Sequence, residues 1–179
     1  MSHICATLLV LCSFFSNTPS IYLEVSNEST EQDMFIYYIS ECAVEWNAYY
    51  TEPEKRIPIN LAVGISAHES GWGTSRFVLE GNNYFGIKTN SEDPDMYMIP
   101  KKNKKVKLAK YHSTCDSVYG FMDLLTKNKK YKVFREELTR QWLSNEIDYD
   151  KLIKTLHKYS KDKSWSIKVL KIIGQLNGN

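Results

Sequence analysis

The sequence predicts a mainly α fold: helices throughout, with one small β-hairpin lobe. Three observations predict it. Apolar residues recur at three- and four-residue spacing through successive stretches of the chain. Glycines, prolines and capping residues punctuate those stretches. Only residues 87–112 change character, toward short β-type runs around a polar tip. The 179 residues fit one domain, and a hydrophobic content of 42% is enough for a packed core.

The first element stands apart. Ile4 to Phe15 is almost wholly apolar and is followed by polar Ser16-Asn17-Thr18-Pro19-Ser20. The run is too short to span a bilayer comfortably. Residues 1–20 read as a secretory signal peptide, with the mature chain expected to begin between Ser16 and Tyr22. Its start carries no Lys or Arg, so an uncleaved anchor is the alternative. Cleavage would leave no stable membrane insertion and an exported protein: periplasmic, wall-associated or secreted. Residues 21–29 read as a flexible lead-in to one domain over 30–179.

Thr30 with Asp33 has the form of a helix-opening capping box, and Met34, Tyr37, Tyr38, Ile39, Cys42 and Trp46 then recur at helical spacing to about Tyr50. Pro58 suits the first turn of a second helix, which Gly71 and Gly73 stop after Ser70. A short helix from Ser75 to Glu80 follows. Met96–Ile99 and Val106–Tyr111 are expected to pair around the tip Lys101-Lys102-Asn103-Lys104-Lys105, whose charges read first as a solvated turn. Ser113 with Asp116 opens another helix through Leu125. Three more are expected at Tyr131–Leu138, Tyr149–Tyr159 and Ser164–Leu176.

Composition excludes several classes of function. A formal net charge of +2 makes no case for a nucleic-acid partner. The four histidines are scattered and no CxxC is present, so neither metal nor cofactor is expected. Cys42 and Cys115 could pair in an exported protein or stay as buried thiols; the sequence leaves both open. Nothing signals an oligomer, so a monomer is expected.

Chemistry concentrates between Pro58 and Lys88, PINLAVGISAHESGWGTSRFVLEGNNYFGIK. Ala62 and Ile65 precede Glu69 by seven and four residues, which places all three on one helix face. The carboxyl also sits in the last turn, at the negative end of the helix dipole. Desolvation and the dipole both disfavour its ionised form, as a general acid near neutral pH requires. A solvated helix-end glutamate is the plain alternative. Trp72, held between Gly71 and Gly73, could stack on a pyranose ring or plug the turn. Asn82 and Asn83 offer amides for sugar hydroxyls, or for turn formation. His68 points about 100° away from Glu69 and reads as peripheral.

The run HESGWGTSRF…GNNYFG resembles the glucosaminidase family of bacterial cell-wall hydrolases (glycoside hydrolase family 73), in its Bax-like branch. Supporting similarity lies in Tyr111–Glu136 and in Leu156–Ile173, and the whole extends over roughly Ile57 to Leu176. The resemblance implies a lysozyme-like helical domain that hydrolyses β-1,4 bonds on the reducing side of N-acetylglucosamine, in peptidoglycan or a related polysaccharide. It implies Glu69 as the catalytic acid and Tyr159 as a second catalytic residue, and it places Trp165 where the family commonly has tyrosine; Trp165 is expected to bind substrate together with Trp72, Asn83 and Phe85, although a phenylalanine such as Phe85 is more often core than ligand contact. Ser160 stands where the family has alanine. Relatives often carry a second acid on the hairpin lobe; here Val106–Tyr111 is VKLAKY, and the nearest acids are Glu92, Asp93 and Asp95. A base from that loop or the substrate's own 2-acetamido group would complete the reaction. Two other readings compete: a muramidase or lytic transglycosylase of the same fold, and a wall-binding module without turnover.

Overall fold

The computed structural model describes residues 30–178; the expected signal peptide and lead-in lie outside the described residues. Seven helices and one two-stranded hairpin follow in order: α1 Glu31–Tyr49, α2 Ile59–Ser70, α3 Arg76–Leu79, β1 Tyr97–Met98, β2 Leu108–Ala109, α4 Thr114–Lys127, α5 Lys132–Ser144, α6 Tyr149–Thr155 and α7 Trp165–Leu176. The expected mainly α architecture with a small hairpin lobe is the observed one.

The local signals explain most boundaries. Thr30 and Asp33 close a reciprocal capping box at the start of α1. Pro58 is the N-cap of α2, where its missing N–H costs nothing. Ser75, Ser113 and Asp148 cap α3, α4 and α6 with their side-chain oxygens.

Helix α2 is the axis of the core. Leu61 to Ala67 and Ser70 are all buried, so the apolar stripe expected beside Glu69 is nearly a full circumference. It packs against α1 and α7, and α1 packs against α4. Gly64 permits the α2–α7 approach: a Cβ there would fall 2.6 Å from Ile173 Cγ1. Cys42 and Cys115 form a disulfide that ties α1 to α4, with Cα atoms 5.0 Å apart.

Three elements differ from expectation. The strands are two residues each, pairing Tyr97 with Ala109 and Met98 with Leu108. Leu108 also bridges Lys88, and the Ala109 N–H donates to the Ile87 carbonyl, so β2 is flanked on its other side by the segment after Gly86. Helix α5 continues past Leu138 to Ser144, because buried Gln141 clasps the Asp148 backbone and Asn145 closes the end in a left-handed conformation, φ 53°. Helix α6 stops at Thr155, and two tight turns carry the chain to Tyr159.

Candidate active site

Glu69 is in the last turn of α2, which ends in three consecutive left-handed residues: Gly71 (φ 59°), Trp72 (φ 58°) and Gly73 (φ 82°). Non-glycine residues rarely adopt this conformation, and Trp72 does so because both sides of the turn are tied down. The Trp72 N–H donates to the Ala67 carbonyl. The Ser70 hydroxyl donates to Ser66 O at 2.6 Å and accepts from the Gly73 N–H at 2.9 Å. Ser70 therefore sets the turn beside the acid, a role that the sequence reading missed. Its signal was available: a short hydroxyl side chain ahead of a glycine stop can bond back four residues and cap the turn.

A cleft of about 450 Å³ opens at Glu69. Its walls include Gly86, Ile87 and Lys88 on one side and Tyr131, Tyr159 and Lys161 on the other. Glu69 is the only carboxylate among the residues that line it. The indole N–H of Trp165 donates to Glu69 Oε1 at 2.7 Å, across 96 residues of sequence. The second oxygen, Oε2, faces Gly86, whose φ is +63° and where a Cβ would sit 3.2 Å from it. Only glycine combines that backbone with that approach. Burial pushes the Glu69 pKa above its ordinary 4.5, while the Trp165 hydrogen bond pulls in the opposite direction with the smaller effect.

Tyr159 lines the same cleft and donates its hydroxyl to the Phe85 carbonyl at 2.7 Å. Its ring stacks on Trp165 at 5.4 Å between centroids. Burial, followed by the nearby Glu69 carboxylate, holds the phenol pKa well above 10, so the hydroxyl remains a neutral donor. The bond to Phe85 O anchors the Phe85–Gly86 turn and so fixes the approach of Gly86 to Glu69.

The structure thus brings Glu69, Tyr159 and Trp165 together, and it corrects several expected contacts with substrate. Trp165 is 4% exposed, with its indole N–H on Glu69, so it supports the acid instead of offering a ring face to a sugar. Phe85 is among the residues that border the cleft, but it is 1% exposed and its ring stacks on Phe121 at 4.2 Å, so the ring belongs to the core. Asn83 is 2% exposed, and its amide is consumed internally: Nδ2 donates to Ile87 O and Ala109 O, and Oδ1 accepts from the Ile87 N–H. Asn82 donates to Tyr111 O. The two asparagines knit the loop to β2 and to the residues just after it. Trp72 packs edge-on against Phe35, at 5.6 Å, and is not among the residues lining the cleft. Glu92, Asp93 and Asp95 are exposed and lie outside the cleft lining. His68 is partly buried near Lys168 and Asp162.

The described residues thus form a helical core that presents one desolvated glutamate at the end of its central helix, with a small hairpin lobe beside it. Residues 46–178 match the family model Glucosaminidase, described as mannosyl-glycoprotein endo-beta-N-acetylglucosaminidase, and the chain belongs to that family. It is 29% identical over 131 residues to protein bax of Escherichia coli (strain K12), covering 69% of this chain and 44% of that protein. The chain therefore spans less than half the length of this curated relative. The fold is shared with the glycoside hydrolase domain of FlgJ from Salmonella typhimurium, at 21% identity and a TM-score of 0.60, covering 83% of this chain and 90% of that one. It is shared also with a peptidoglycan hydrolase from Sphingomonas sp. A1, at 18% identity and a TM-score of 0.56, covering 77% and 86%.

Proposed function

We propose that this chain is an exported endo-β-N-acetylglucosaminidase that cleaves peptidoglycan, with Glu69 as the proton donor. The observation that carries the reading is the division of labour between the two oxygens of Glu69. Oε1 accepts the Trp165 N–H, while Oε2 is left toward Gly86 and the cleft. A carboxyl group that accepts a hydrogen bond on one oxygen keeps its acid proton on the other. Burial favours that protonated form, and the leaving glycosidic oxygen needs the proton because an alkoxide leaves poorly.

The second half of the reaction has no protein carboxylate in the cleft lining to serve it. This supports attack by the substrate's own 2-acetamido oxygen on the anomeric carbon, followed by water. Tyr159 acts in this scheme as a positioning residue, through the Phe85–Gly86 turn. Export is supported by the apolar run of residues 4–15 and by the Cys42–Cys115 disulfide, which persists in oxidising compartments. No helix among the described residues is long and apolar enough to cross a membrane.

Digestion of purified peptidoglycan, with mass spectrometry of the fragments, tests the reading. The expected products end in reducing N-acetylglucosamine. Reducing muramic acid would assign the chain as a muramidase, anhydromuramic acid as a lytic transglycosylase, and binding without release of fragments as a wall-binding module.

A further inference from the structure

The lip of the Glu69 cleft carries an uncompensated cluster of cations. Lys88, Lys130 and Lys161 all line it, and they come from three separate segments: the strand-like stretch beside β2, the turn before α5 and the turn before α7. Lys158 lies close enough to Lys130 for the two charges to repel each other, and Lys88 does the same. Among the described residues none of these four lysines forms a salt bridge, although eight other basic side chains do. The only carboxylate lining the cleft is Glu69, whose oxygens are directed to Trp165 and Gly86. The Lys130 ammonium lies 5.2 Å from the centroid of the Tyr131 ring, which borders the same cleft. Burial, Lys88 and Lys158, in that order, lower the Lys130 pKa, a sign that its charge is held at a cost.

We infer that Lys88 and Lys130 form a carboxylate-recognising subsite, which selects glycan strands bearing acidic substituents over neutral N-acetylglucosamine polymers. The inference rests on the reading of the cleft as a glycan-cleaving site and adds the charge class of its substrate. A neutral chitin-type chain would leave the like-charged lysines facing one another. A strand whose lactyl or peptide substituent ends in a carboxylate supplies the missing counter-ion and relieves that repulsion. Lys161, which lines the same cleft, belongs to the same field. None of these ammonium groups has a part in the proton transfer assigned to Glu69.

Two matched substrates test this: glycan–peptide fragments with free carboxylates, and the same fragments with those carboxylates converted to amides. The full chain should cleave the free-acid fragments with kcat/KM about tenfold higher, the upper end for two ion pairs made by exposed lysines, carried mainly in KM and reduced by salt. The double variant Lys88→Ala/Lys130→Ala should lose that preference, the ratio of kcat/KM between free-acid and amidated fragments falling from about ten to about one. A parent enzyme that cleaves both fragments equally, or a double variant that keeps the preference, overturns the subsite. A parent that cleaves neither fragment removes the glycosidase reading on which the inference rests, so the two failures are distinguishable. Circular dichroism and residual cleavage of the amidated fragment establish that the double variant is folded.

Discussion

On the helical side of the cleft, Glu69 is fixed by one group distant in sequence and by its own helix: Trp165 holds one of its oxygens, the Ser70 hydroxyl closes the turn that follows it, and α2, on which it sits, is buried nearly all round. The hairpin side is built from two strands of two residues each, and it reaches the cleft through Gly86, Ile87 and Lys88. One wall carries a desolvated acid on a rigid scaffold. The other carries backbone, an aliphatic side chain and a cation. Under the proposed mechanism, the difference teaches that one wall supplies the proton donor and the other half of the reaction falls to the substrate.

The most direct way to break that comparison is to remove the donor while keeping its shape. Glu69→Gln should lower kcat by on the order of 100- to 10,000-fold, with an unchanged circular dichroism spectrum and retained binding to peptidoglycan. Its stability has a definite sign. The folded pKa of Glu69 is raised above 4.5, so the stability associated with the protonated carboxyl is present below the unfolded value and is lost as pH rises. At pH 7 the variant, which does not ionise, should melt no lower than the parent. A variant that lysed cell walls at the parent rate would remove Glu69 from the reaction.

The next largest effect is expected where the two walls touch. Gly86→Ala puts a methyl group 3.2 Å from Glu69 Oε2 and forces alanine into a left-handed conformation. The displaced carboxyl should cost about 100-fold in kcat, as a misplacement of about 1 Å does elsewhere. The melting temperature should fall modestly, because the strain is confined to one residue. Steady-state kinetics and thermal melts of the same preparation would show whether the loss is catalytic or global.

Glu69 and the residues around it were legible to different degrees. The Glu69 position followed from helical spacing and the glycine stop, both of which are local signals that survive in one dimension. The capping residues Thr30 and Ser113 were local in the same way. Trp165 was legible only as an aromatic in a family-like segment, because its partner lies 96 residues away. Asn83 and Phe85 sit in the best-matched motif, yet they serve the fold. Whether an amide is free for a ligand depends on backbone groups such as Ala109 O, 26 residues on, and no spacing rule reports that. Trp72 was drawn to the cleft by its neighbour Glu69, whereas the left-handed turn directs it onto Phe35. Helix existence was readable and the ends of α5 and α6 were not, since Gln141 and the turns before Tyr159 set them through tertiary contacts.

A smaller effect would sharpen the account of how the helical wall tunes its acid. Trp165→Phe removes the N–H that Oε1 accepts while keeping an aromatic ring against Tyr159. That hydrogen bond lowers the Glu69 pKa, so its loss should raise the pKa further. A general acid works only while protonated, and its rate falls as pH passes upward through its pKa. The alkaline limb of the pH–rate profile should therefore move to higher pH, while kcat at its plateau drops about tenfold as the carboxyl loses its anchor. A limb that stayed in place or moved to lower pH would show that Trp165 does not act through the ionisation of Glu69.

The smallest effect is expected on the hairpin side, and it bears most directly on the mechanism. Glu92, Asp93 and Asp95 are the acids nearest the hairpin in sequence, and a base or nucleophile supplied by that lobe would have to be one of them. All three are exposed and none lines the cleft. Asp93 has a local task, since its Oδ1 accepts the Asp95 N–H at 2.9 Å and caps a short turn. The triple variant Glu92→Gln/Asp93→Asn/Asp95→Asn keeps that capping ability, because asparagine offers the same oxygen. It removes every carboxylate from the loop without changing its shape. If the substrate's acetamido group is the nucleophile, kcat on purified peptidoglycan should stay within about threefold of the parent, well short of the losses that follow removal of a general base. The same protein should be inactive on strands whose glucosamine has been N-deacetylated, since the nucleophile is then missing. A loss of 100-fold or more in the triple variant, with cleavage of the deacetylated strand by the parent, would place a protein base on the hairpin lobe and make the two walls partners in the chemistry.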